Sequence, residues 1–134
     1  MGSFVTGGSS EGKPKVLIVD DEVQLAQTLS DILKLRGFDP DTAHDGLQAK
    51  KKLMSESFRI VITDIRMPRM DGSTLLAYIQ EHHPRTSVIL ISGFAEVHDP
   101  SPFTGAAAVL QKPFRVRELA DLVQKITAGS GVPG

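Results

Sequence analysis

The fold is decided by one stretch, Ile60-Val61-Ile62-Thr63-Asp64-Ile65-Arg66-Met67-Pro68-Arg69-Met70-Asp71-Gly72. Its opening residues are apolar and β-branched, which is typical of a strand buried on both faces of a sheet. Asp64 stands where the apolar run ends, and Pro68 and Gly72 then favour a turn. Because ligands of open α/β sheets bind at the carboxyl ends of the strands, we expect the chemistry of this protein to lie at Asp64.

The composition limits the class of protein. The chain has 134 residues, of which 40% are hydrophobic and 23% charged, values that suit one globular domain with a core of its own. A net charge of -1 gives no general field for nucleic acid, and the absence of cysteine excludes disulfides and thiolate metal sites. No apolar run reaches the ~20 residues of a membrane span. We therefore expect a cytoplasmic domain with no direct contact to nucleic acid or membrane.

The two ends of the chain differ from its middle. Residues 1–12 are rich in Gly and Ser and lack the basic start and apolar core of a signal peptide, so we interpret them as a disordered lead or a cloning scar. Residues 129–134 are also rich in Gly and are predicted to form a disordered tail. The folded domain is expected to span residues 13–128.

Between these ends, short apolar runs alternate with stretches of helical periodicity. The predicted strands are residues 16–19, 38–43, 59–64, 87–91 and 107–111, and the predicted helices are 23–36, 45–55, 73–82 and the stretch from Val116 onward. Pro40 lacks a backbone donor, which places the second strand at an edge of the sheet. Pro100 and Pro102 predict a shortened or irregular fourth helix, with residues 96–105 forming a loop or at most one helical turn.

Such alternation predicts an α/β protein with a doubly wound, five-stranded parallel sheet and helices on both faces. The strand order 2-1-3-4-5 satisfies the edge position of the strand that contains Pro40. In that order the first, third, fourth and fifth strands are contiguous, so the polar residues at their carboxyl ends converge. These residues are Asp20, Asp21, Asp64, Ser92 and Lys112.

Three of these five side chains are carboxylates, which repel one another and raise at least one pKa unless a cation is present. Mg²⁺ relieves such repulsion, since it prefers oxygen ligands and also binds phosphate oxygens. A carboxylate beside such an ion can act as a nucleophile toward phosphorus. A lysine and a hydroxyl can then hold the phosphoryl oxygens. The pattern thus predicts chemistry on a phosphoryl group.

Four motifs at the strand ends occur in the order of one known family. They are Val16-Leu17-Ile18-Val19-Asp20-Asp21-Glu22, Thr63-Asp64-Ile65-Arg66-Met67-Pro68-Arg69-Met70-Asp71-Gly72, Ser92-Gly93 and Gln111-Lys112-Pro113-Phe114. Together they resemble the receiver domain of two-component response regulators, over residues 13–127. The resemblance implies the flavodoxin-like fold and a signalling domain that catalyses only its own aspartyl phosphorylation and dephosphorylation. It further implies a histidine kinase or phosphotransfer protein as partner, with the chain a monomer or weak dimer.

The resemblance also implies a role for each site residue. Asp64 is the implied phosphoacceptor. The implied ligands of Mg²⁺, which Mn²⁺ could replace, are Asp64, Asp21 directly, Asp20 through water and the backbone carbonyl of Arg66. Ser92 is implied to be the switch hydroxyl that reaches the phosphoryl group, and Lys112 to be its cationic partner. The peptide bond between Lys112 and Pro113 is often cis in this family, in keeping with the general rule for cis bonds.

Two features depart from the family pattern. Val109 stands three residues before Lys112, where the family usually has the Tyr or Phe that moves with the switch. The segment between Ser92 and Lys112 is short and contains the two prolines described above. Both departures fall on the usual output surface, so we expect partner contacts around Phe94, Phe103 and Val109. The motif spacing is similar to that of receivers attached to hybrid histidine kinases.

Four alternatives to a phosphoacceptor receiver follow from the same residues, two within the family and two from other classes of protein. A receiver excised from a hybrid histidine kinase and an inert pseudo-receiver used for docking both keep the family, although the complete acidic pocket counts against the inert form. A phosphatase of the haloacid type carries a second Asp two residues after its nucleophile, where this chain has Arg66. A flavodoxin-like electron carrier needs a phosphate-binding loop after its first strand, where Asp20-Asp21-Glu22 would repel the phosphate.

Overall fold

The computed structural model of the chain describes residues 12–66, 71–93 and 104–130. Its strands are β1 (Lys15–Val19), β2 (Asp39–Ala43), β3 (Ile60–Asp64), β4 (Ser87–Ser92) and β5 (Ala108–Gln111). Its helices are α1 (Val23–Leu35), α2 (Gly46–Ser55), α3 (Gly72–His82) and α4 (Val116–Ser130). None of the helices in this part of the chain is long and apolar enough to cross a membrane.

The five strands form one parallel sheet in the order β2-β1-β3-β4-β5, which confirms the predicted order 2-1-3-4-5. β2 lies at an edge, as Pro40 predicted, and Pro40 pairs with Val16 of β1. Asp64 pairs with Ile91 of β4, and Ser92 pairs with Gln111 of β5. This register brings the carboxyl ends of β3, β4 and β5 side by side.

The core has two halves, one on each face of the sheet. Successive side chains of a strand point to opposite faces, so Ile18 and Ile62 pack beneath α1 and α4 while Leu17 and Val61 pack beneath α2 and α3. Since both faces are covered, β1, β3 and β4 need continuous apolar sequence and not an alternating pattern. The central strands are accordingly the ones that the sequence predicts most clearly.

Short polar residues and one glycine fix the ends of the helices. The Oδ1 atom of Asp45 accepts from the N–H of Gln48 at 2.8 Å and caps α2. The Oδ1 atom of Asp71 likewise accepts from the N–H of Thr74 at 2.9 Å and caps α3. Gly37 follows α1 with φ 91°, the left-handed conformation expected of a glycine after a helix.

Some predicted boundaries differ from the structure or lie outside the described residues. α4 continues to Ser130, two residues past the predicted end of the domain at 128, because the helix runs through Gly129. The predicted loop or short helix at residues 96–105 falls largely on residues 94–103, which are outside the described part, as are residues 1–11 and 131–134. Gly105 is described and lies in a turn with φ 101°.

Candidate functional site

Four of the predicted site residues lie at the carboxyl edge of the sheet. Asp20 follows β1, Asp64 ends β3, Ser92 ends β4 and Lys112 follows β5. The N–H of Lys112 donates to the carbonyl oxygen of Ser92 at 2.8 Å, which ties the ends of β4 and β5 together. Strand order therefore assembles these residues, although they are far apart in sequence.

The carboxylate of Asp64 is held from both sides. Its Oδ2 atom accepts a hydrogen bond from Nζ of Lys112 at 2.8 Å, and its Oδ1 atom accepts one from the N–H of Arg66 at 3.0 Å. The residue is only 7% exposed. These contacts fix the orientation of a carboxylate that nevertheless lies at the open end of the sheet.

The acidic groups around Lys112 favour the charged form of its side chain. Partial burial acts to lower the pKa of Lys112, but the hydrogen bond and the charge of Asp64, together with the charges of Asp20 and Glu22, raise that pKa above its ordinary value. The Oε1 atom of Glu22 lies 3.5 Å from Nζ of Lys112. The sequence alone assigned no role to Glu22. Its position directly after Asp20 and Asp21 is the sequence signal that could have placed it near the site.

Asp20 is a buried carboxylate that is only partly satisfied. It is 1% exposed, and its Oδ1 atom accepts from the N–H of Glu22 at 2.8 Å, whereas its Oδ2 atom has no hydrogen-bond partner among the described residues. Burial and the nearby charge of Asp64 raise the pKa of Asp20 to about 6, against the lowering effects of the Glu22 N–H and of Lys112. A buried carboxylate oxygen without a partner is the kind of donor that a hard cation such as Mg²⁺ binds. The unpaired oxygen of Asp20 therefore suits the divalent ion that the sequence predicts.

Ser92 supplies the second unpaired atom of the site. Its Oγ atom is buried and has no hydrogen-bond partner in the part of the chain that the structure describes, and the residue is fully buried at the end of β4. A buried hydroxyl without a partner is rare in folded proteins. It is available to donate to an oxygen of a group that enters the site.

The third predicted carboxylate differs in burial from the other two. Asp21 is exposed, whereas Asp20 and Asp64 are buried. Among residues 12–66, 71–93 and 104–130, no three Asp, Glu or His side chains are grouped so that they could hold a metal ion. Lys112, in contact with Asp64, partly offsets the repulsion that the sequence predicted. The metal roles of Asp20, Asp21, Asp64 and the carbonyl of Arg66 stay predictions.

Gly72 packs closely against the backbone of Asp64 and Ile65. Its N–H donates to the carbonyl oxygen of Ile65 at 2.7 Å. A Cβ atom at this position would lie 2.8 Å from Cα of Ile65 and 3.0 Å from the carbonyl oxygen of Asp64. The sequence indicated only a turn here, but the structure shows that a glycine is required for close approach of two backbone segments.

Two further expectations concern the end of β5. The peptide bond between Lys112 and Pro113 is cis, as the family resemblance implied. Val109 is 45% exposed on β5, which is an edge strand. The other two members of the expected partner surface, Phe94 and Phe103, lie outside the described residues.

Comparison with known proteins identifies the family. The family model described as response regulator receiver domain matches residues 16–124. The transcriptional regulatory protein CpxR homolog of Haemophilus influenzae is 36% identical over 121 residues, which cover 89% of this chain and 52% of that protein. The chain thus spans about half the length of this relative. The response regulator receiver protein CpdR of Brucella abortus is 32% identical over 114 residues, covering 84% of this chain and 95% of that protein.

A solved structure gives the same result. The response regulator protein TrrA from Thermotoga maritima, in complex with Mg(2+)-BeF, is 29% identical and superposes with a TM-score of 0.77, covering 84% of this chain and 98% of that one. The family model covers most of the chain, and the match to CpdR covers nearly all of that relative. This chain belongs to the response regulator receiver domain family.

Proposed function

We propose that Asp64 is the residue at which this receiver domain accepts a phosphoryl group from a histidine kinase or a phosphotransfer protein in two-component signalling. The observation that carries the proposal is the position of the Asp64 carboxylate, oriented by Lys112 and the Arg66 N–H beside two buried oxygens that lack partners. A cytoplasmic location and the absence of direct nucleic-acid binding belong to the same proposal.

In the proposed reaction, a carboxylate oxygen of Asp64 attacks the phosphorus of a phosphohistidine. The P–N bond breaks, its electron pair moves to the imidazole nitrogen, and an acyl phosphate remains on Asp64. Lys112 supplies positive charge beside the oxygens of the transferred group. The domain thereby catalyses its own phosphorylation, with the phosphohistidine of the partner as the phosphoryl donor.

Mg²⁺ is part of this proposal. Its residues would be Asp20, Asp21, Asp64 and the backbone carbonyl of Arg66, and Mn²⁺ could take its place. When bound, the ion supplies charge that offsets the repulsion between the carboxylates and the phosphoryl oxygens. The unpaired Oδ2 atom of Asp20 supports the assignment.

The switch is assigned to Ser92 and Lys112. The hydroxyl of Ser92 has no partner, and the ammonium of Lys112 contacts Asp64 at 2.8 Å. Each side chain would therefore gain an oxygen acceptor when Asp64 carries a phosphoryl group. The N–H of Lys112 is bonded to the carbonyl of Ser92, so movement at one strand end would reach the other.

The test is intact-mass spectrometry after incubation with acetyl phosphate and MgCl₂. We expect the wild-type chain to gain one phosphoryl group that hydroxylamine removes, and Asp64→Asn to gain none. Asp71→Asn is the matched control, since Asp71 is an exposed aspartate at the start of α3 and Asn also caps helices. Full labelling of Asp64→Asn would overturn the assignment, and an unlabelled wild-type chain would favour the inert docking domain.

A further inference from the structure

A groove opens at the edge of the sheet opposite Asp64, where the amino ends of β1, β3 and β4 lie. We call it the amino-edge groove. Its main cavity of about 630 Å³ is lined by Lys13, Lys15, Ser57, Phe58, Arg59 and Arg85. A second cavity of about 460 Å³ shares Ser57, Phe58 and Arg85 with it. The main cavity is within the range of about 300–1,000 Å³ found for small-molecule sites.

Two of the four cations in this lining are held by neighbours. Lys15 forms an ion pair with Glu56, and Nη2 of Arg59 donates to the carbonyl oxygen of Thr127 at 2.9 Å. The hydrogen bond to Glu56 raises the pKa of Lys15. Both side chains are thus fixed at the wall of the groove, and Glu56 offsets only one positive charge.

The other two cations are not neutralised. Lys13 and Arg85 are exposed, and among the described residues no acidic side chain lies within ion-pair distance of either. Among residues 12–66, 71–93 and 104–130, no acidic residue lines the main cavity. The hydroxyl of Ser57 also has no hydrogen-bond partner among the described residues. Solvated cations on a convex surface need no explanation, but here they share one concave site with a free hydroxyl donor.

We propose that the amino-edge groove binds a small polyphosphate anion, the chemistry shared by the tail of a nucleoside triphosphate and by inorganic polyphosphate. Arginine and lysine are the residues that recognise phosphate oxygens best, the first through paired N–H donors and the second as a point charge. Phe58 is only 4% exposed, so it offers no face on which a base could stack. The phosphates, and not the base, would therefore carry the binding.

Calorimetric titration of the full chain with sodium tripolyphosphate tests this proposal. The buffer contains EDTA, so that no divalent ion bridges the anion to the acidic edge. We expect saturable binding that Arg85→Glu and Lys13→Glu each weaken by about tenfold or more, because each variant removes a charge-assisted contact and adds repulsion. Arg85→Gln provides a milder variant, and circular dichroism shows that each protein is folded.

Lys51→Glu is the matched control, since Lys51 is exposed on α2 and lines neither cavity. The substitution changes the net charge by the same amount as Arg85→Glu and Lys13→Glu. Its affinity is expected to equal that of wild type. A parallel titration with ATP separates the two sources. Equal affinity shows that the phosphates alone are recognised in either ligand, and weaker binding of ATP assigns the site to inorganic polyphosphate. Tighter binding of ATP would contradict the statement that the phosphates, and not the base, carry the binding. Absence of saturable binding, equal weakening by Lys51→Glu, or a short DNA duplex that binds more tightly through Arg85 would overturn the proposal. Labelling of Asp64 is expected to be unchanged in all of these variants.

Discussion

The buried carboxylate of Asp20 makes the metal-free site unfavourable by itself. Among the described residues its Oδ2 atom has no hydrogen-bond partner, and the charge of Lys112 only partly compensates the burial of Asp20 and the charge of Asp64. A site of this kind gains stability when a cation binds, because ligands that bind only the folded state shift the folding equilibrium. Under the proposed function, the repulsion that destabilises the metal-free site would also favour the binding of Mg²⁺.

This argument predicts opposite effects at two adjacent residues. Asp20→Asn should make the metal-free protein more stable, by on the order of 1 kcal/mol, since it removes a buried charge that lacks one of its partners. Asp21→Asn should leave the metal-free stability within about 0.5 kcal/mol, because Asp21 is exposed. MgCl₂ is expected to raise the melting temperature of wild type, and both variants should lose this increase. Thermal melts with and without MgCl₂ check this, and a metal-free Asp20→Asn that melts below wild type would contradict it.

The sequence predicted which residues lie at the carboxyl edge of the sheet, but it did not predict how deeply each side chain is buried or which neighbours it contacts. Asp64, Ser92 and Lys112 could be placed because each follows an apolar run, and parallel strands bring their carboxyl ends to one edge. The difference in burial between Asp20 and Asp21 could not be predicted, since it depends on the backbone path after β1. The contact between Glu22 and Lys112 depends on the same local path.

At the scale of elements, the helix α3 is capped at its N-terminus by Asp71. The N–H of Thr74 donates to Asp71 and is the main cause that lowers the pKa of Asp71, with a smaller contribution from the hydroxyl of Ser73. Asp71→Ala should therefore destabilise the protein at neutral pH by about 0.5–2 kcal/mol, measured by urea unfolding.

The pH dependence of this loss follows from the direction of the shift. Because the pKa of Asp71 is lower in the folded state, its stabilising effect is complete above the unfolded pKa and disappears as pH falls through the folded pKa. The difference between wild type and Asp71→Ala should thus shrink in acid. Asp71→Asn should keep much of the cap at every pH, and a difference that grows in acid would contradict the assignment.

Two glycines at different positions allow the cost of a steric clash to be measured apart from the effect of helix propensity. A Cβ on Gly72 would lie 2.8 Å from Cα of Ile65, whereas nothing lies within 4 Å of a Cβ on Gly129. Gly72→Ala should therefore destabilise the protein by about 1–3 kcal/mol and slow the labelling of Asp64, since backbone must move. Gly129→Ala should be neutral or stabilising by up to about 1 kcal/mol. Urea unfolding checks both, and equal effects at the two positions would show that the clash is relieved without cost.

The elements themselves were predictable to different degrees. The central strands β1, β3 and β4 carry continuous apolar sequence, and their positions follow from that pattern. β2 is Asp39-Pro40-Asp41-Thr42-Ala43, which has little strand character of its own and is held by pairing with β1. The need for Gly72 could not be predicted, because it arises from contact between two segments that only the folded chain brings together.

At the scale of the whole molecule, charge is separated between the two edges of the sheet. Asp20 and Asp64 lie at the carboxyl edge, whereas Lys13 and Arg85 lie at the amino edge. The net charge of -1 conceals this separation, which only the fold reveals. A parallel sheet gathers all the amino ends of its strands at one edge and all the carboxyl ends at the other, so residues at opposite ends of the strands are kept apart. Under the two proposals made above, the amino edge would bind an anion, and the carboxyl edge would bind a cation together with the phosphoryl group.

Signal output is the remaining property of the whole molecule, and it has to reach the surface from the carboxyl edge. β5 is the edge strand nearest the site, and the N–H of Lys112 ties its end to Ser92 of β4. Val109 is 45% exposed on that strand, and its β-branched side chain is stiff about χ1. It is also too small to repeat the aromatic movement that the family resemblance implies at this position.

We therefore predict that activation changes the backbone between Ser92 and Leu110 and does not rotate a side chain at Val109. Amide hydrogen exchange with and without beryllofluoride and Mg²⁺ measures this, and protection is expected to change across that interval as well as around Asp64. Lys112→Ala should bind Mg²⁺ as wild type does, because a lysine does not bind a cation, yet it should lose the change at β5. Protection changes confined to Asp64 and the loop that follows it would show that the signal does not leave the site by this strand.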